Sequence, residues 1–202
     1  MASVSSPAQN AMALPLETAT FEGLSLRRSG KFENVACPIL LSYSSSIPYG
    51  PEISSRFIAL PAFAGGDDPR KHLIVQLELS EAEAAGLQRL DEACELASTS
   101  TGTWSKLVSL TEGRYSIKAR LIVTGSPPTA VRVDKIDLPA GWDRLKVALD
   151  ENLQFMGHDL KIALRAAYIW NVSGKRGLAL TITQLVLGAE HIQPERLDYF
   201  LG

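Results

Sequence analysis

Apolar residues recur with two periods along this chain, and the two periods predict different elements. Short apolar runs at residues 35–43, 56–60 and 72–79 read as strands. Turn chemistry separates them at Ser44-Ser45-Ser46, at the Pro-containing stretch 48–51, and at Gly65-Gly66-Asp67-Asp68-Pro69. Gly and Pro there supply the backbone angles that chain reversals need. The period then changes. Ser80 stands three residues before Glu83, the spacing of a capping box, and Leu87, Leu90, Cys94 and Ala97 follow at intervals of three and four. This predicts a helix over about residues 81–97, apolar along one stripe and acidic on the other side through Glu81, Glu83, Asp91, Glu92 and Glu95. The Ser/Thr/Gly run at 98–103 ends it.

The second half returns to period two. Over 116–124, Ile117, Ala119, Leu121 and Val123 alternate with Ser116, Lys118 and Arg120. A short strand at 131–136 follows the Pro127-Pro128 break. Residues 159–171 predict a longer strand, with Leu160, Ile162, Leu164, Ala166, Tyr168 and Trp170 on one face. Lys161, Ala163, Arg165, Ala167, Ile169 and Asn171 take the other. Residues 178–187 form the next, and Val172-Ser173-Gly174-Lys175-Arg176-Gly177 between them is a polar loop with a hairpin signal. Residues 142–155 fit both periods and stay open between strand and helix.

One helix among many short strands predicts a mainly β fold. The reading is a small barrel or sandwich of short antiparallel strands with one inserted helix and a C-terminal hairpin, not a doubly wound sheet. Residues 1–20, rich in Ala, Ser and Pro, read as a disordered arm, 21–188 as a single domain, and 189–202 as a tail. The length of 202 residues, with 46% hydrophobic and 21% charged, suits one domain with extensions.

Composition then narrows the compartment and the chemistry. No apolar run approaches the ~18 residues of a membrane span. The arm lacks Lys and Arg, so it has neither the basic start of a secretory signal nor the Arg of a plastid transit peptide. The expectation is a soluble intracellular protein, with plastid import the lesser alternative. Cys37 and Cys94 have no metal-binding spacing, and His72, His158 and His191 lie far apart. Two isolated thiols suit this composition better than a bridge. There is no phosphate loop, dinucleotide fingerprint, nucleophile elbow or HExxH motif. The adjacent acids Asp67-Asp68 and Asp91-Glu92 do not share a face and read as solvated turn and helix-surface charges. Neither catalysis nor a cofactor or metal is expected.

The formal net charge of −2 conceals an uneven distribution. Residues 102–187 hold twelve basic and seven acidic residues, a local balance of +5, so the remainder of the chain carries −7. Lys118 and Arg120 share one strand face, Lys161 and Arg165 another, and Lys175 and Arg176 tip the hairpin. Trp104, Tyr115, Tyr168 and Trp170 are interleaved among them. Cations that track phosphates, with rings that stack on bases, are what a single nucleic-acid strand requires. The same residues also have plainer uses, since cations keep a strand's polar face wet and strand aromatics fill cores. Tyr168 and Trp170 share the apolar face of Leu160, so at least one of them is expected in the core; Trp104 and Tyr115 lie outside the clean apolar faces and are the better stacking candidates.

The run from Asp159 through Trp170, the turn containing Gly174-Lys175-Arg176-Gly177, and a following strand with Gln184 near its end resemble a C-terminal hairpin. That hairpin is the one in phage and viral single-stranded DNA-binding proteins of the OB-fold type. The resemblance covers about 30 residues of the 202. It implies an OB-like barrel whose Lys161, Arg165, Lys175 and Arg176 line the strand path, with Tyr168 or Trp170 stacking on bases. It further implies sequence-tolerant, non-catalytic binding of single-stranded DNA during replication or recombination, as a homo-oligomer, with replication proteins as partners. The acidic tail common in such proteins is reduced here to Glu190, Glu195 and Asp198 before Tyr199-Phe200. Two rivals share these features: single-stranded RNA binding, and a self-assembling capsid or nucleocapsid subunit whose arm would ordinarily be basic.

Overall fold

A computed structural model describes residues 14–18, 21, 24–30, 32–46, 57–60, 72–122, 129–133, 136–137 and 158–190. The described elements are β1 (Leu14–Pro15), β2 (Leu26–Ser29), β3 (Phe32–Ser46), β4 (Phe57–Leu60), β5 (His72–Leu79), α1 (Glu81–Ala97), β6 (Thr103–Trp104), β7 (Ser109–Thr111), β8 (Arg114–Ile122), β9 (Ala130–Val133), β10 (Ile136–Asp137), β11 (His158–Val172) and β12 (Lys175–Glu190). Among the described residues the fold is mainly β with one helix, as the periodicity predicts. The ambiguous stretch 142–155 and the tail beyond Glu190 lie outside the described residues.

The strands make one sheet with the main order β1-β3-β11-β12-β8-β5-β4. Two features differ from a barrel of short antiparallel strands. First, the sheet is mixed. β12 pairs with β11 antiparallel along one edge, while β6, β8 and β9 line its other edge in parallel. Second, β3, β11 and β12 are long, at 15, 15 and 16 residues, and among the described residues the sheet does not close.

One face of the sheet and one stripe of α1 share the core. Val75, Leu77, Ile117, Leu121, Leu164, Leu180 and Ile182 pack there with Leu87, Leu90 and Cys94 of the helix. Tyr43 is buried with them, and its hydroxyl donates to the Glu78 carbonyl at 2.9 Å, so no polar atom is stranded. The helix begins as its capping box predicts. The Glu83 N–H donates to Ser80 Oγ at 3.3 Å and the Ser80 N–H donates to Glu83 Oε2 at 2.6 Å. One prediction about α1 needs correction: Asp91, taken for a solvated surface charge, is 2% exposed. It accepts hydrogen bonds from Trp104 Nε1 at 3.1 Å and from the Leu107 N–H at 3.0 Å, which is what makes its burial tolerable.

Within the arm expected over 1–20, the described residues 14–18 lie against the domain. Leu14–Pro15 pairs with β3, Leu16 is buried, and Arg89 Nη2 donates to the Glu17 carbonyl at 2.7 Å. Gly86 of α1 permits this crossing, since a Cβ there would stand 1.7 Å from the Leu16 carbonyl oxygen. The hairpin turn is also tighter than predicted. Val172 pairs with Lys175, and the reversal needs only Ser173 and Gly174, at φ 49° and 75°. Two successive left-handed residues match the twist of the flanking strands.

Candidate nucleic-acid interface

Residues paired across neighbouring strands point to the same side of a sheet. On β8, Ile117, Ala119 and Leu121 are buried in the core, so Ser116, Lys118 and Arg120 lie on the opposite face. Arg120 is in register with Thr181 of β12, Thr181 with Arg165 of β11, and Arg165 with Leu40 of β3. This row crosses four strands and places two guanidinium groups on either side of a hydroxyl, their backbones about 10 Å apart. A second row runs Arg132–Val186–Lys161–Ser44. Lys175 joins the same face by alternation with Ala179 and Thr181 along β12. None of Lys118, Lys161, Arg165 and Lys175 forms an ion pair with a carboxylate among the described residues. Glu78, in register with Ser116, is the acid of this face among the described side chains.

The placement of Tyr168 and Trp170 corrects the sequence reading. Uninterrupted alternation from Leu160 would put both rings in the core. Instead, β11 slips between Ala166 and Tyr168 against both neighbours. Against β12, Ala166 faces Leu180 and Tyr168 faces Ala179, so Ala167 is an extra residue. Against β3, the partner moves from Ile39 to Asn34, across the segment that holds Pro38, which has no N–H to pair. A bulge of this kind reverses which residues face inward. Leu160, Ile162, Leu164 and Ala166 are buried before it, and Ile169 after it. Tyr168 and Trp170 are thereby turned onto the face of Lys161 and Arg165. Arg120 Nη1 donates to the Tyr168 hydroxyl at 2.6 Å, with its guanidinium carbon 5.9 Å from the ring centre. The Trp170 ring lies over Gly177, where a Cβ would come within 2.9 Å of Cζ2.

Three predicted residues occupy the other side. Tyr115 shares the parity of Ile117 and packs against the core. Trp104, also packed against the core, has its indole N–H committed to Asp91. Arg176 is adjacent to Lys175 and therefore points the opposite way. Its Nη1 donates to Ser98 Oγ at 2.8 Å, its Nε donates to the Gly102 carbonyl at 3.1 Å, and its guanidinium stands 5.1 Å from the Trp104 ring centre. Ser98 in turn donates to Glu33 Oε2, while the Thr99 hydroxyl and N–H donate to Oε1. Burial alone would raise the Glu33 pKa, but hydrogen bonds from Ser98, Thr99 and Ser100 outweigh it and hold the carboxyl at about 2. Arg176 thus belongs to a network that ties the end of α1 to β3 and the hairpin.

Sequence reasoning also passed over residues that the fold brings to the open face. Phe32 and Asn34 alternate with the buried Glu33 and Val35, and Asn34 is in register with both Tyr168 and Arg27. Phe32 is 46% exposed and meets Tyr168 edge to face, ring centres 5.0 Å apart. The signal was present in the alternation Phe32–Val35, which starts the strand three residues before the apolar run used to predict it. Among the described residues, no group of three or more His, Cys, Asp or Glu could hold a metal ion, and no helix is long and apolar enough to cross a membrane.

No family model matches the chain, and no curated protein matches it. Among solved structures, it is similar to the single-stranded DNA-binding protein from bacteriophage Enc34 in complex with ssDNA. The identity is 14% and the TM-score 0.42, over 86% of this chain and 98% of that one. The C-terminal truncation of that protein is similar at 13% identity and a TM-score of 0.42, over 87% and 99% of the two chains. A further structure of the single-stranded DNA-binding protein from bacteriophage Enc34 is similar at 13% identity and a TM-score of 0.40, over 89% and 98% of the two chains.

Proposed function

We propose that this protein binds single-stranded nucleic acid, DNA in preference to RNA, without catalysis, and sheathes exposed strands in replication or recombination. The observation that carries the reading is the open sheet face. Lys118, Arg120, Lys161, Arg165 and Lys175 project from three neighbouring strands there, beside Tyr168 and Trp170. Such a face gives phosphates their counter-charges and bases a flat apolar surface, with no dependence on base order.

The test is anisotropy of a labelled dT oligomer across a salt series. If five cations each neutralise a phosphate, the log–log salt slope is about −3.5, and affinity falls on the order of 100-fold between 50 and 200 mM salt. Matched RNA and duplex probes should bind more weakly. Absence of binding to any single strand at low salt overturns the reading.

A further inference from the structure

Resting on the reading of the open face as a single-strand site, we infer that Phe32, Asn34 and Arg27, together with Tyr168, form a subsite for one unpaired nucleobase. Four observations place it. Arg27, Asn34 and Tyr168 stand in one register row across β2, β3 and β11, so their side chains leave the sheet on the same side. Phe32 is two residues from Asn34 on that side, and its ring is set edge to face against Tyr168. An edge-to-face pair leaves a flat ring surface for a third aromatic group. A large apolar ring 46% exposed on a polar sheet face gains from being covered, and a base is a cover of matching shape.

The chemistry of the neighbours selects a base over another flat group. The Asn34 amide has no hydrogen-bond partner among the described residues. It presents a donor and an acceptor side by side, a pair that the edge of any of the four bases can meet. Arg27 is exposed one strand further out and supplies a cation for the phosphate of the same nucleotide. A paired base has its edge occupied and its faces stacked in the duplex, so this subsite accepts a base only from an unpaired strand. The electrostatic part of the face does not by itself make that distinction.

The experiment compares a dT oligomer with an abasic oligomer of equal length and equal charge, each titrated into the full chain over a salt series. Wild type should bind dT about tenfold more tightly than the abasic strand. Phe32→Ala should narrow that preference severalfold, the share carried by Trp170 remaining, while leaving the salt slope unchanged, because no cation is lost. Phe32→Tyr should restore the preference, and Asn34→Ala should weaken dT binding and leave abasic binding as it was. Equal affinity of wild type for both strands overturns the subsite while the single-strand reading stands. Equal weakening of both strands in Phe32→Ala, without rescue by Phe32→Tyr, shows a structural role for the ring and also overturns it. If wild type binds neither strand, the underlying reading fails and the subsite with it.

Discussion

Lys175 and Arg176 are chemically alike and adjacent, yet the strand pleat gives them different work. Lys175 points to the open face, while Arg176 holds Ser98 and Gly102 at the end of α1. Replacing Arg120 and Arg165 together with Ala should reduce the magnitude of the log–log salt slope by about 1.4, at about 0.7 per lost phosphate contact, in the dT titration. Arg176→Ala should leave that slope unchanged. It should instead lower stability by about 1–3 kcal/mol, read from a urea midpoint, because two hydrogen bonds from a charged group and a ring contact are lost. The basic residues were legible as a set from spacing alone. Their division between the two faces was legible only where alternation ran unbroken, as at Lys118 and Arg120.

The elements themselves were largely written in periodicity. The helix starts at its capping box, and β5 occupies the predicted span 72–79. What local pattern could not show was how elements cross. Gly86 lies mid-helix, where Ala would ordinarily gain about 1 kcal/mol of helix propensity. Here the Leu16 carbonyl fills the space of the missing Cβ, and that carbonyl belongs to backbone that cannot rotate away. Gly86→Ala should therefore lower the unfolding free energy by about 1–3 kcal/mol, overpacking outweighing propensity. A thermal melt against wild type measures the sign. A rise in melting temperature would mean that the crossing of Leu16 over the helix is weakly held. The bulge at Ala167 is the second such feature. It coincides with the jump in register against β3 across the segment that holds Pro38.

At the scale of the whole molecule, two buried carboxylates respond to pH in opposite directions. Glu33 is held at about 2, below the ordinary 4.5, so its contribution to stability is present above about pH 4.5 and is lost as the pH falls towards 2. Burial pushes Asp91 up, outweighing the hydrogen bonds from Leu107 and Trp104, so its contribution is present in acid and is lost as the pH rises through its folded pKa. Wild type should lose stability between pH 5 and 2 through Glu33. In Glu33→Gln, which removes the titration at the junction of α1, β3 and the hairpin, the urea midpoint should change less over that range and start lower at pH 7. Cys94, buried and pushed up to about 12, takes no part in this and should resist thiol reagents in the folded state.

Sequence alone determined which residues alternate, where the helix is capped, and that positive charge collects in the second half of a chain whose net charge is −2. These are local or additive properties, readable without knowing what lies beside each residue. Tertiary structure alone decided that Tyr168 and Trp170 face outward, that Trp104, Tyr115 and Arg176 face the helix side, and that Phe32 and Asn34 join the basic face. The side of a sheet on which a residue emerges depends on the count of residues since the last slip in register. A slip is set by the neighbouring strands, and β3, the partner of β11, lies about 130 positions away in the chain, beyond any local window along the sequence.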